Sequence, residues 1–225
     1  MADAQFVTEQ RTSSGTSVIA TNKVLRNTYM LLSITLAFSA LTAGMSMAFN
    51  WPHPGFIITL VGYFGLLYLT TKFRNSSIGV LCVFGLTGFM GLTMGPIITM
   101  YLSLSNGAEI VTYAFGTTAV TFFALSGYAI ASKKDFSFLG PMLMVGIIVA
   151  FCAALAAMFF SMPALSLAVS SMFVMLMAGM MLYQTGQIVN GGETNYIMAT
   201  VSLYVSIYNM FLSLLHIFGA LGGED

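Results

Sequence analysis

Charge is what this sequence has least of. Only 7 Lys+Arg and 7 Asp+Glu occur among 225 residues, 6% of the chain, and they cancel to a formal net charge of +0. Soluble domains carry about 25% charged residues, so this chain cannot clothe a water-facing surface, and a soluble enzyme is excluded. The neutral balance removes the basic footprint of a nucleic-acid binder. Low charge combined with abundant apolar residues is also the reverse of a disordered composition. Cys82 and Cys152 are the only cysteines. Helical rise separates them by about 15 Å in depth, beyond disulfide reach, so both are read as small apolar packing residues. The two histidines, His53 and His216, stand apart, and no HExxH zinc motif occurs. No lysine follows Lys134, which excludes a retinal protein with its lysine in the last span. Ser126-Gly127 with His216 hints at the serine dyad of an intramembrane protease. Ala124 stands where the usual glycine would, and nothing brings the two side chains within hydrogen-bond reach.

What the chain does have is 58% hydrophobic residues and a mean hydropathy of +0.91. A spanning helix needs about 20 mostly apolar residues, and seven segments qualify: Thr28–Phe49, Gly55–Thr71, Ile78–Tyr101, Glu109–Ser132, Phe138–Phe160, Ala164–Val189 and Tyr196–Leu221. Their connections are short and carry turn residues. The runs are continuously apolar, whereas barrel strands would alternate over about ten residues. The expected fold is therefore an all-α integral membrane protein of seven transmembrane helices, residues 26–225 forming one domain. Six spans with one re-entrant segment is the alternative. Residues 1–25 are expected to form a flexible cytoplasmic tail, because Met1–Asn22 is polar and rich in Ser and Thr. The first apolar run exceeds the 7–15 residues of a signal-peptide core, so it reads as a retained anchor.

Cation placement sets the expected orientation. Arg11, Lys23 and Arg26 precede the first span, Lys72 and Arg74 lie in the second loop, and Lys133 and Lys134 in the fourth. With a cytoplasmic N-terminus and seven crossings, all seven cations fall on the cytoplasmic side. The C-terminus, with Glu224 and Asp225, is then on the outer side.

Two residue-type clusters have plain and sharp readings. Met172, Met175, Met177, Met180 and Met181 crowd the sixth span. Thioethers suit Cu(I), but no His or Cys accompanies them, so adaptable packing is preferred and no metal or cofactor is expected. Gly85, Gly88, Gly91 and Gly95 in the third span, and Ala150, Ala153, Ala154 and Ala157 in the fifth, make small faces that permit close helix approach. Packing within the bundle is the plainer reading and a homo-oligomer contact the other.

The last span holds the most informative pattern. Ser202, Ser206, Asn209, Ser213 and His216 recur at steps of four, three, four and three, which draws one continuous helical face. Polar groups facing lipid are costly, so the face should point into the bundle. Leu203, Ile207 and Leu214 line the opposite side. The helix is thus expected to be central, enclosed by the other six. Each serine can satisfy itself on its own i−4 carbonyl, whereas the Asn209 amide wants several partners. Gln184 and Gln187, late in the sixth span, are both expected to reach this face near its cytoplasmic end. No carboxylate lies deep within a span.

Three stretches carry a family resemblance: Asn22-Lys23-Val24-Leu25-Arg26-Asn27-Thr28-Tyr29, Lys134-Asp135-Phe136-Ser137-Phe138-Leu139-Gly140, and Gly191-Gly192-Glu193-Thr194-Asn195-Tyr196-Ile197 with its continuation to Asn209. They resemble the Bax inhibitor-1 family, and specifically its bacterial branch of protease modulators, over nearly the whole chain. The resemblance implies a seven-helix fold with the last helix central and residence in the bacterial inner membrane. It also implies association with FtsH-type membrane proteases and their membrane regulators, as a slowly degraded, substrate-like inhibitor rather than an enzyme. A general membrane-stress factor is a further reading. Other members act as pH-sensitive calcium leaks gated by two intramembrane aspartates, and those positions correspond here to Gln184 and Ser206. Two carboxylates sharing a proton make a pH gate. Gln and Ser do not titrate and offer no charge to a divalent ion, so the leak mechanism is not expected of this chain.

Overall fold

A computed structural model describes the backbone of residues 2–222 and the side chains of residues 23–222. Seven helices follow one another: α1 (Ala2–Ala48), α2 (Phe56–Lys72), α3 (Ser77–Leu102), α4 (Gly107–Ser132), α5 (Leu139–Phe159), α6 (Pro163–Val189) and α7 (Tyr196–Gly222). No strand occurs among the described residues. From α2 onward, every helix boundary lies within two residues of the segment expected from apolar run length. Six helices, counting Lys23–Ala48 of α1, are long and apolar enough to cross a membrane. The seventh, α2, has 17 residues, about 25 Å at 1.5 Å per residue, the short limit of a spanning helix. The flexible tail expected over residues 1–25 is helical from Ala2 onward as the first part of α1, continuous with the span; the side chains up to Asn22, Arg11 included, lie outside the described residues.

Hydrogen bonds between loops show which ends share a side. Asn195, at the start of α7, donates from Nδ2 to the Arg74 carbonyl at 2.9 Å in the α2–α3 loop. Asn190, at the end of α6, donates to the Lys134 carbonyl at 3.0 Å in the α4–α5 loop. Thr200 Oγ1 donates to the Thr28 carbonyl at 3.3 Å, near the start of the α1 span. Lys23, Arg26, Lys72, Arg74, Lys133 and Lys134 therefore share one end, termed the cationic end. At the opposite end, Asn106 of the α3–α4 loop donates to the Gly222 carbonyl at 2.8 Å, where α7 finishes.

α7 is the axis of the bundle. It packs against α1, α2, α3, α4 and α6, and no residue from Tyr196 to Gly219 is exposed. The expectation of six enclosing helices is corrected on one point: α5 packs on α6 alone. Its fully covered residues, Leu143, Ala150 and Ala157, recur every seven positions, a seam wide enough for a single neighbour. Gly146 and Gly179 let α5 and α6 approach there, since a methyl on either would strike Leu176 or Leu143.

The glycine face of α3 serves packing within the chain. A methyl on Gly88 would meet Phe38, on Gly91 the Ser39 carbonyl and Thr42, and on Gly95 Ser46 and the Ala43 carbonyl. α1 thus lies against α3 at backbone-to-backbone distance, the small-residue approach by which membrane helices gain contact without a hydrophobic drive. Pro96 lies inside α3 and brings no N–H to the Leu92 carbonyl four residues back. Ser46 of α1 supplies the missing donor, its Oγ reaching the Leu92 carbonyl at 3.0 Å. Cys82 and Cys152 are free thiols, half-buried and exposed respectively. Met177 and Met181 are buried in the core, while Met172 and Met175 face outward.

Candidate functional site

The polar stripe of α7 faces α6, and the two helices meet differently along its length. Near the cationic end, Ser206 is buried and donates to Gln184 Oε1 at 3.3 Å and to the Ser202 carbonyl at 3.0 Å. The positions that the resemblance matched to a pair of aspartates thus do face each other. They hold a neutral hydrogen-bonded pair. Beside them, Thr185 Oγ1 lies 3.3 Å from both Tyr29 Oη of α1 and Ser126 Oγ of α4. Ser126 is therefore engaged with Thr185, while His216 is engaged with Ser170 near the other end, and no dyad forms between them.

Gln187 takes another course. Its Nε2 donates to Ser137 Oγ at 2.8 Å in the α4–α5 loop. The expectation that it joins the α7 face is corrected: three residues after Gln184, it stands one helical step round α6, toward the loop. Ser137 in turn donates its hydroxyl and backbone N–H to Asp135 Oδ1. These two bonds favour the ionised carboxylate and hold the Asp135 pKa below its ordinary value.

The turn between α6 and α7 closes this end. Gly191 takes φ +77°, a left-handed conformation that favours glycine. Its N–H donates to the Ile188 carbonyl at 3.3 Å, and the Gly192 N–H to the Gln187 carbonyl at 2.8 Å, the paired bonds of a Schellman cap. Glu193 accepts from the Asn195 N–H at 2.7 Å. Asn195 caps α7, its Oδ1 accepting from Ile197 N and Met198 N at 3.1 Å each. Its Nδ2 clasps the Arg74 carbonyl and Asn75 Oδ1. One side chain thus fixes where α7 starts and ties that start to the α2–α3 loop. Sequence reasoning passed over Asn195, although Asn directly before an apolar helical run is a recognised capping signal.

Two tyrosines of α7 complete the closed half. Tyr204 is buried, with its hydroxyl 2.6 Å from Ser39 Oγ of α1 and 3.3 Å from the Thr87 carbonyl of α3. Tyr208 reaches Thr93 of α3 at 3.4 Å. They pin the axis to both helices of the close-packed α1–α3 pair. The stripe reading missed them, because they lie off the serine face.

Toward the opposite end the stripe opens. Asn209 donates to its own i−4 carbonyl, that of Val205, at 2.8 Å. Asn209 and Ser213 line a cleft of about 260 Å³ with Ser166, Ser170, Phe173 and Ala154. His216 Nδ1 and Ser170 Oγ, 2.7 Å apart, tie α7 to α6 above it. The stripe predicted from spacing is therefore split into a closed pair, Gln184–Ser206, and an open polar cleft around Asn209 and Ser213. Among the described residues no group of three His, Cys, Asp or Glu could hold a metal ion.

A family model described as "Inhibitor of apoptosis-promoting Bax1" matches residues 21–223. The chain is 52% identical over 204 residues to the Escherichia coli protein named "Modulator of FtsH protease YccA", covering 91% of this chain and 93% of the relative. It is 51% identical over 219 residues to an uncharacterized Pseudomonas aeruginosa protein, covering 97% and 95%. An uncharacterized membrane protein of Vibrio cholerae is 42% identical over 216 residues, covering 96% and 97%.

Proposed function

Because the chain belongs to the Bax inhibitor-1 family, we propose that it is an inner-membrane regulator that binds and restrains an FtsH-type membrane protease. The observation that carries this reading is the 52% identity, spread over nearly the full length of both chains, to a protein named a modulator of that protease. The N-terminus and the cationic end face the cytoplasm, in keeping with the positive-inside rule. The polar N-terminal segment, residues 1–22, is the handle presented to the protease, and the bundle is the load that resists extraction.

The fold suits that load. α1, the first helix a pull on the N-terminus would draw, rests on the glycine face of α3 and is bonded to α7 through Ser39 and Thr28. Extracting it means breaking buried polar contacts at a depth where water cannot replace them. A protease engaged on such a chain is occupied and slow to be released.

The leak reading finds less support. The Gln184–Ser206 pair has no titratable group and no charge to offer a hard cation. Removing residues 1–22 tests the handle. Protease-dependent turnover in membranes should cease while the bundle stays folded. Unchanged turnover would contradict it.

A further inference from the structure

We propose that the cationic end carries a binding site for the phosphate headgroup of an anionic phospholipid, set between the α2–α3 loop and the start of α7. This site does not rest on the protease reading. It stands on a cavity of about 650 Å³ whose wall changes character with depth. At the rim are Arg74, Ser76, Ser77 and Thr194, and below them Val80 and Leu81 of α3. Arg74 gives the Asn195 side chain, the latch on this loop, only its backbone carbonyl. Its side chain is exposed at the rim.

A guanidinium is a planar, permanently charged fork that matches two phosphate oxygens at once. The hydroxyls of Ser77 and Thr194 can donate to the remaining oxygens. Leu81 is 70% exposed, and Ile78, on the same outward turn of α3, is 50% exposed. Acyl chains descending from a headgroup at the rim would lie along them. A free phosphate would use the upper wall only. A diacyl phospholipid uses both walls, and basic pockets between helices at a membrane surface are a recurrent form of such sites. The first amides of α3 and α7 are capped by Ser76 and Asn195, so those helix starts contribute positive field rather than ligating groups.

The latch makes the cavity a defined shape. Asn195 holds the α2–α3 loop against the start of α7. Beside it, a methyl on Gly79 would strike the Phe73 carbonyl and crowd Ile197, so the start of α3 packs closely against the loop and α7. A lipid seated here would bridge three segments that the protein already ties together, and should stabilise the bundle by mass action.

Native mass spectrometry of the full-length chain, released from detergent with dioleoylphosphatidylglycerol or dioleoylphosphatidylcholine, tests the site. The wild type should retain one phosphatidylglycerol in preference to phosphatidylcholine. R74Q should lower that retention about tenfold, the worth of roughly one lost charge-assisted contact. K133Q/K134Q, which removes two charges at the same end, should keep it. Added inorganic phosphate should neither displace the lipid nor raise the melting temperature. Equal retention by R74Q, or equal loss in K133Q/K134Q, would overturn the site in favour of general attraction to the basic surface. Displacement by inorganic phosphate would overturn the lipid and leave an anion site.

Discussion

From Tyr196 to Ser206, α7 is held by partners on four other segments; from Asn209 to His216 it is held by one. The first half is bonded to Arg74 and Asn75 through its Asn195 cap, to Thr28 and Ser39 of α1, to Thr87 of α3 and to Gln184 of α6. The second half has the His216–Ser170 bond and, at its very end, the Asn106 clasp on Gly222. Before His216, at Asn209 and Ser213, it opens on the cleft. Both halves draw on serine, asparagine and aromatic residues. The difference lies in what faces the serine stripe: the direct Gln184–Ser206 contact toward the cationic end, and a gap between α6, α7 and Ala154 of α5 toward the other. Stability in a fold is not uniform, and here the hydrogen bonds from α7 to other segments are concentrated at the end from which the proposed pull would come.

The comparison can be broken most severely at Tyr204. Tyr204→Ala empties a fully covered site and strands the Ser39 hydroxyl, and should cost about 3 kcal/mol. Unfolding by sodium dodecyl sulfate in mixed micelles measures this, and a loss below 1 kcal/mol would mean the closed half is not tightly packed. Asn195→Ala removes the α7 cap and the clasp on the α2–α3 loop. It should cost about 1–2 kcal/mol, with faster amide exchange confined to the first turn of α7 and residues 73–77. Ser206→Ala should cost about 0.6 kcal/mol, typical of a polar contact between membrane helices. Ser213→Ala in the open cleft should change stability by less, and the reverse order would invert the comparison.

The smallest effect concerns pH. The Asp135 pKa is lowered by its bonds from Ser137. A lowered folded-state pKa contributes stability above the ordinary carboxylate pKa, and loses it as the pH falls through the depressed value. This carboxylate is fully exposed, so the readout is a titration rather than a melting curve. Carboxyl-carbon resonances should show the Asp135 pKa rising toward the ordinary range in Ser137→Ala.

Much of this architecture was legible in the residues, for a physical reason. A membrane forces each span to satisfy its own backbone, so run length alone located the helices from α2 onward. The cost of placing polar groups in lipid turned the serine stripe into a statement that α7 is central. The same face brought Gln184 toward α7, and the family resemblance set it beside Ser206. What could not be read depended on rotation and neighbours. Gln187, three residues beyond Gln184, turns toward Ser137 because α6 presents a different face to the α4–α5 loop. Nor could spacing show that α5 reaches only α6, since its apolar run resembles those of the enclosed helices. Tyr204 and Tyr208 carry their polar atom at the tip of a large ring, so a search for small polar residues passed over them. The split of the stripe into a closed pair and a cleft depends on which α6 side chains face each turn of α7, which no periodicity encodes.

The claim that this bundle restrains a protease is tested most directly by purified components. An FtsH-type protease would be reconstituted with a membrane substrate, with and without the full-length chain, in the same liposomes. The account predicts that substrate degradation slows when the chain is present, that the two proteins co-purify, and that Tyr204→Ala shortens the inhibition because the chain is extracted sooner. Degradation at an unchanged rate, together with proton-dependent calcium flux through liposomes holding the chain alone, would contradict it.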